Sequence, residues 1–177
     1  MRKIFFRRRA AAIVLLLCCL LGLQNPLVHA AGGTVPYYNL KHAFAFAYPA
    51  DWIKLQVTGA DYAVLSPDLN GVLTVTVGPG TASDAVLHKA LRAAFLPFGR
   101  PLHAPDLGVY GLKGATAQQA QVVVETAKKR QCAITALAVS HHNRIYLILL
   151  VVQDTHQASA SADSAALETA LASFALF

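Results

Sequence analysis

Little in this chain announces a chemistry. Its 177 residues include one methionine, one tryptophan, three cysteines and nine acidic residues. Cys18 and Cys19 fall in the first thirty residues, so Cys132 stands alone in the rest and excludes an internal disulfide there. There is no GxSxG, no HExxH and no paired CxxC, the spacings that mark a nucleophile elbow, a zinc protease or a structural zinc site. Gly78-Pro79-Gly80-Thr81 leads into a helix, but no P-loop lysine follows and Pro79 removes one donor, so it reads as a helix start.

A basic excess is present only in the leader. The formal charge is +6, from 15 Lys+Arg against 9 Asp+Glu. Arg2, Lys3, Arg7, Arg8 and Arg9 supply five of those positive charges, which leaves ten against nine beyond residue 30. A nucleic-acid partner therefore has no electrostatic support. Residues 1–30 have the layout of a secretory signal peptide: a basic start, uncharged Ala10 to Leu23, a break at Gln24-Asn25-Pro26, and Val28-His29-Ala30 before Ala31. Leu17 is not the small residue a lipoprotein signal needs before Cys18, and Ala10-Ala11-Ala12 lack the rest of a twin-arginine signal. The apolar run is shorter than the roughly 20 residues of a permanent span. An uncleaved anchor is the alternative, and it is the one route by which the chain would meet a membrane.

The remainder, residues 31–177, has the length of one domain with a full core. Residues 31–41 contain Gly32, Gly33 and Pro36 and read as a flexible lead-in. Phe44, Phe46 and Tyr48 then alternate with alanine, which places three rings on one face of a strand. Pro49 ends that strand, and Trp52 opens the next. Strand patterns follow at 52–57, 61–66 and 72–77, with Asn70-Gly71 expected to take the positive φ of a hairpin turn. Thr81-Ala82-Ser83-Asp84 caps a helix whose apolar stripe is Leu87, Leu91, Ala94 and Phe95.

Arg100 to Gly114 reads as a long loop with one short strand around 109–113. Ala120, Val122 and Val124 alternate with Gln121 and Glu125, and two strands at 131–140 and 144–152 are apolar on both faces. A sheet with one wet face keeps polar residues at every second position. These strands instead demand cover on both sides. The second helix, Ala162 to Ser173, is expected to be capped near Ser161 or Asp163 and to bury Leu167, Leu171 and Phe174. The predicted architecture is α+β, an α/β/α sandwich around one antiparallel sheet of about six to seven strands, with a helix on each face.

Phe44-x-Phe46-x-Tyr48-Pro49-x-x-Trp52 resembles the opening of the PsbP-like domains, a family that includes exported bacterial relatives of the DcrB type. Leu112 to Gly114, the two-hairpin meander and the last helix ending at Ser173-Phe174 extend the likeness over residues 42–177. The resemblance implies the sandwich fold and an accessory or binding role outside the cytoplasm, with no catalytic residues and no cofactor. It does not carry over a photosynthetic role.

Isolated chemical groups remain. His141-His142 invites a metal, but no Asp, Glu or Cys lies at ligand spacing, and a polar hairpin tip is the plainer reading. Cys132 sits among Ile134 and Ala136, where a cysteine is a small hydrophobe. Lys128-Lys129-Arg130 reads as a solvated turn, and His88 with Arg92 as a solvated helix face. The expected function is a non-enzymatic accessory or binding domain for an envelope or secreted protein, or for a small ligand. Its candidate partner surface is Phe98, Leu102, Leu107 and Tyr110. A hydrolase or metal-dependent enzyme is the competing reading. It requires His103, His141 or His142 in a pocket with a carboxylate within hydrogen-bond reach.

Overall fold

The computed structural model describes residues 33–153 and 158–177. The leader, residues 1–30, lies outside the described residues, as do residues 154–157 before the second helix. In chain order the elements are β1 (Thr34–Asn39), β2 (Phe44–Pro49), β3 (Ile53–Leu55), β4 (Tyr62–Leu65), β5 (Gly71–Pro79), α1 (Asp84–Phe95), β6 (Gly99–Pro101) and β7 (Asp106–Leu112). They continue with β8 (Ala115–Thr126), β9 (Gln131–His141), β10 (Arg144–Gln153), α2 (Ala158–Ser173) and β11 (Ala175–Leu176).

The main sheet has eight antiparallel strands, ordered β3-β4-β5-β10-β9-β8, with β6 and β7 end to end along the outer side of β8. The alternation in β10 explains why this sheet is covered twice. Ile145, Leu147 and Val151 enter one core, with Leu87, Leu91 and Ala94 of α1. Tyr146, Ile148, Leu150 and Val152 enter the other, with Leu167, Ala170 and Leu171 of α2. Helix α1 starts where the sequence places it: Ser83 is extended (φ −154°, ψ 157°), its hydroxyl accepts from the Val86 N–H at 3.4 Å, and Asp84 sits in the first turn. The two helices lie on opposite faces, and the architecture is the α/β/α sandwich.

Several expectations are corrected. The sheet has eight strands rather than six or seven, and a second sheet of three strands, β1-β2-β11, lies on the α2 side. The aromatic ladder belongs to this small sheet. Phe44 stacks on Phe174 at 5.6 Å and meets Tyr146 edge-on at 6.2 Å, while Phe46 meets Tyr62 edge-on at 5.3 Å. The supposed lead-in, residues 31–41, contains β1, which pairs with β2 from Thr34 to Asn39 and sets the Tyr37 ring against Tyr62 at 3.8 Å, tilted by 35°. Pro36 is tolerated because β1 is an edge.

Trp52 precedes β3 and is buried. At the β4–β5 turn it is Leu69, at φ 66°, that takes the left-handed conformation, rather than Asn70 or Gly71. Asp163 is not a cap: α2 begins at Ala158, and Asp163 is fully buried within it. Arg100 to Gly114 is not a loop either, since β6 and β7 occupy most of it.

Candidate functional site

Helix α2 packs on β2, β5 and β10, which leaves the far half of β8 and β9 less covered on that face. The sequence compensates with small and polar groups. On β8, Ala120, Val122 and Val124 fill the α1-side core while Gln121 and Glu125 face the other way; on β9, Ala133 and Thr135 are half-buried. The result is a cleft of about 230 Å³. Its floor includes Thr135, Leu150 and Val152, α2 contributes Ser164 and Glu168, and His103 and Asp106 stand on the outer side.

The polar groups of the cleft are specific in their roles. His103 Nδ1 lies 2.8 Å from the Ala104 carbonyl, which only accepts, so Nδ1 carries the proton and Nε2 is the acceptor of the neutral ring. Asp106 Oδ2 is 3.9 Å from the same Nδ1, an ion-pair distance outside hydrogen-bond reach. Tyr110 donates to Glu168 Oε2 at 3.2 Å, which ties β7 to α2. Burial first, and then the Glu168 carboxylate, raise the Tyr110 phenol above its ordinary value. The arrangement can bind and orient a small polar group over an apolar floor.

The four residues named for the partner surface do not come together. Phe98 is buried in the α1-side core. Leu107 pairs with Ala120 and so faces the α1 side, whereas Tyr110 pairs with Ala117 on the α2 side and is half-buried. Leu102 and Leu107 are exposed, and Val109, unnamed by the sequence reading, is more exposed than either at 74%.

Elsewhere, the His141 and His142 rings lie 3.9 Å apart, tilted by 50°, at a hairpin tip, where His142 (φ 47°) and Asn143 (φ 57°) both take the left-handed conformation. Among the described residues no three His, Cys, Asp or Glu side chains are grouped to hold a metal ion. Burial pushes the Cys132 thiol up to about 12, which keeps it protonated and inert. Gly80 N donates to the Asn143 carbonyl, so that amide of the glycine turn is occupied.

Sequence reasoning missed one close pair: His42 Nε2 lies 3.1 Å from Asp61 Oδ1, and Asp61 Oδ2 accepts from the Val77 N–H at 2.6 Å. Nothing in the lead-in pattern signalled it, because the two residues meet only when β1 and β2 fold over the main sheet.

No family model matches the sequence, and no curated relative matches it. Solved structures do match. The cyanobacterial PsbP (CyanoP) of Synechocystis sp. aligns with a TM-score of 0.57 at 14% identity, over 89% of this chain and 99% of that one. The chain has the PsbP-like fold. At this identity the likeness is one of fold. Two further structures share it. The Ran-binding protein Mog1p of Saccharomyces cerevisiae has a TM-score of 0.53 at 10% identity, covering 82% of this chain and 96% of its own. LpqN of Mycobacterium tuberculosis, described as involved in cell envelope biogenesis, has a TM-score of 0.50 at 13% identity, covering 84% and 88%. In this chain of PsbP-like fold no described helix is long and apolar enough to cross a membrane.

Proposed function

We propose that this chain is an exported, non-enzymatic accessory domain that binds a partner protein or a small ligand outside the cytoplasm, with the cleft beside α2 as its binding site. The observation that carries the reading is the composition of that cleft: hydrogen-bonding groups from β8, β9, α2 and the segment before β7 surround apolar floor residues. Two features support it from outside the site. The same fold serves a Ran-binding protein and a protein of cell envelope biogenesis, and residues 1–30 have the layout of a secretory leader.

The hydrolase reading needs His103, His141 or His142 in a pocket with a carboxylate within hydrogen-bond reach. In the cleft His103 Nδ1 is bonded to the Ala104 carbonyl, and the Asp106 carboxylate stands 3.9 Å from it, beyond that reach. The test replaces Thr135, on the cleft floor, with tryptophan in the full chain and compares what co-purifies from the cell envelope. A folded Thr135→Trp variant is expected to lose the partner or ligand that the wild type retains. Retention by the filled cleft sinks the proposal. N-terminal sequencing is expected to begin at Ala31, and a start at Met1 would assign the anchored form.

A further inference from the structure

Among the described residues five strands stand at the edge of a sheet, and four of them are guarded. β1 carries Pro36, β3 is three residues long with Lys54 at its centre, β6 ends on Pro101, and β11 is two residues long. Proline, lysine and short length are the devices that stop another strand adding to a sheet. β7 has none of them. It is seven residues, Asp106–Leu112, without lysine, arginine or proline. One side pairs with β8 along its whole length. Among the described residues no strand pairs with its other side, and the Lys113–Ala175 bridge lies just past its end.

We propose that β7 is a strand-acceptor edge, to which an extended segment of a partner protein, alternating apolar and cationic side chains, adds as the next strand of the main sheet. The backbone sets the conformation, because a row of free N–H and C=O groups is matched only by another extended chain. The two faces set the side chains. On the α1 side the incoming strand lies beside Leu107 and Val109, which are 56% and 74% exposed. On the α2 side it lies beside Asp106 and Tyr110, with Glu168 bonded to Tyr110, and no lysine or arginine lines the adjoining cleft. Apolar residues suit the first face and cations the second. A second copy of this chain is a poorer occupant, since its own β7 brings Asp106 and no cation.

The inference rests on the binding-module reading only in giving the edge a protein partner. Its test is therefore made with a synthetic strand. A capped heptapeptide of alternating valine and lysine is titrated into the ¹⁵N-labelled chain, and amide hydrogen exchange is followed residue by residue. Alternate amides of β7 are expected to exchange at least about ten-fold more slowly with peptide bound. Leu107→Lys and Val109→Lys, at exposed positions that leave the fold intact, are expected to weaken binding by about ten-fold or more.

A peptide with proline at its centre is expected not to bind. Binding by that peptide, by a valine–glutamate peptide equally well, or protection elsewhere than β7 overturns the proposal. So does finding those amides already protected in the free chain. Concentration-dependent sedimentation abolished by Val109→Lys would assign the edge to a second copy and overturn the partner. The peptide requires neither export nor an envelope partner, so failure here is separable from failure of the cleft.

Discussion

Ser66 Oγ stands between two carboxylates, 2.6 Å from Asp68 Oδ1 and 3.3 Å from Asp163 Oδ2. The hydroxyl has one proton, and the shorter bond claims it for Asp68, while its oxygen accepts from the Gly71 N–H at 2.7 Å. Ser66 and Asp163 are both fully buried, so helix α2 and the β4–β5 hairpin are joined through polar contacts that water does not reach. Ser66→Ala takes the acceptor from the buried Gly71 N–H and the donated proton from Asp68 at once. It is expected to destabilise the fold by roughly 2–4 kcal/mol, measured by urea unfolding. A loss within about 0.5 kcal/mol, the range of ordinary surface changes, would mean that the contacts are not made.

Cys132 gives the alkaline limb of stability a definite shape. Its thiol ordinarily ionises near 9.0, and burial pushes it up to about 12 in the folded chain. Between those values the unfolded chain sheds a proton that the folded chain keeps. The contribution is whole below the unfolded value and is lost as pH rises through the folded one, at about 1.4 kcal/mol per pH unit. Tyr37, Tyr62 and Tyr110, raised chiefly by burial, add their own losses above pH 10. Urea midpoints from pH 8 to pH 11 should therefore fall more steeply for the wild type than for Cys132→Ala. Parallel curves would place the thiol in contact with water.

Where burial is two-sided and local, the fold was legible in the sequence. Leu149 and Val151 alternate with Ile148 and Leu150, and that pattern alone demanded a layer on each face of β10. The aromatic ladder announced β2 for the same reason. β1 was hidden because Pro36 reads as a break, although an edge strand loses nothing from a missing N–H. β7 was hidden because six of its seven residues stay at least partly exposed and Gly108 and Gly111 mimic a loop. Asp163 looked like a cap because acidic residues favour helix starts, and only the packing of the β4–β5 hairpin shows it to be interior. The cleft draws on His103, Asp106, Gln121, Thr135, Ser164 and Glu168. No short motif contains them, since the sheet register brings them together.

The β8–β9 turn carries an avoidable strain. Lys129 is exposed and sits at φ 58°, a conformation that crowds a Cβ against the following carbonyl. The turn is otherwise well made: Lys129 N donates to the Thr126 carbonyl at 2.9 Å and Arg130 N to Thr126 Oγ1 at 3.1 Å. Lys129→Gly keeps both bonds and removes the Cβ. After its own entropy cost it is expected to stabilise the protein by about 0.5–1 kcal/mol. A thermal melt reads the effect directly, and a lowered midpoint would contradict the assigned backbone.

Gly99 is the opposite case, a glycine that the fold cannot exchange. Its φ is 155°, and a Cβ built there would meet the Glu125 carbonyl oxygen of β8 at less than van der Waals distance. Backbone cannot yield as a side chain does, so Gly99→Ala must lift β6 away from β8, although Phe98 beside it is held in the α1-side core and its N–H donates to Phe95 at 2.9 Å. The expected cost is about 2 kcal/mol or more, together with faster exchange of the Leu102 amide, which donates to Val123 at 2.9 Å. Gly111→Ala is the matched control, because a Cβ at that position meets nothing within 4 Å. The two substitutions add the same methyl group, at Gly99 against the β8 backbone and at a positive φ, at Gly111 into open space and without one. Equal effects on stability would therefore show that β6 does not run against β8 as described.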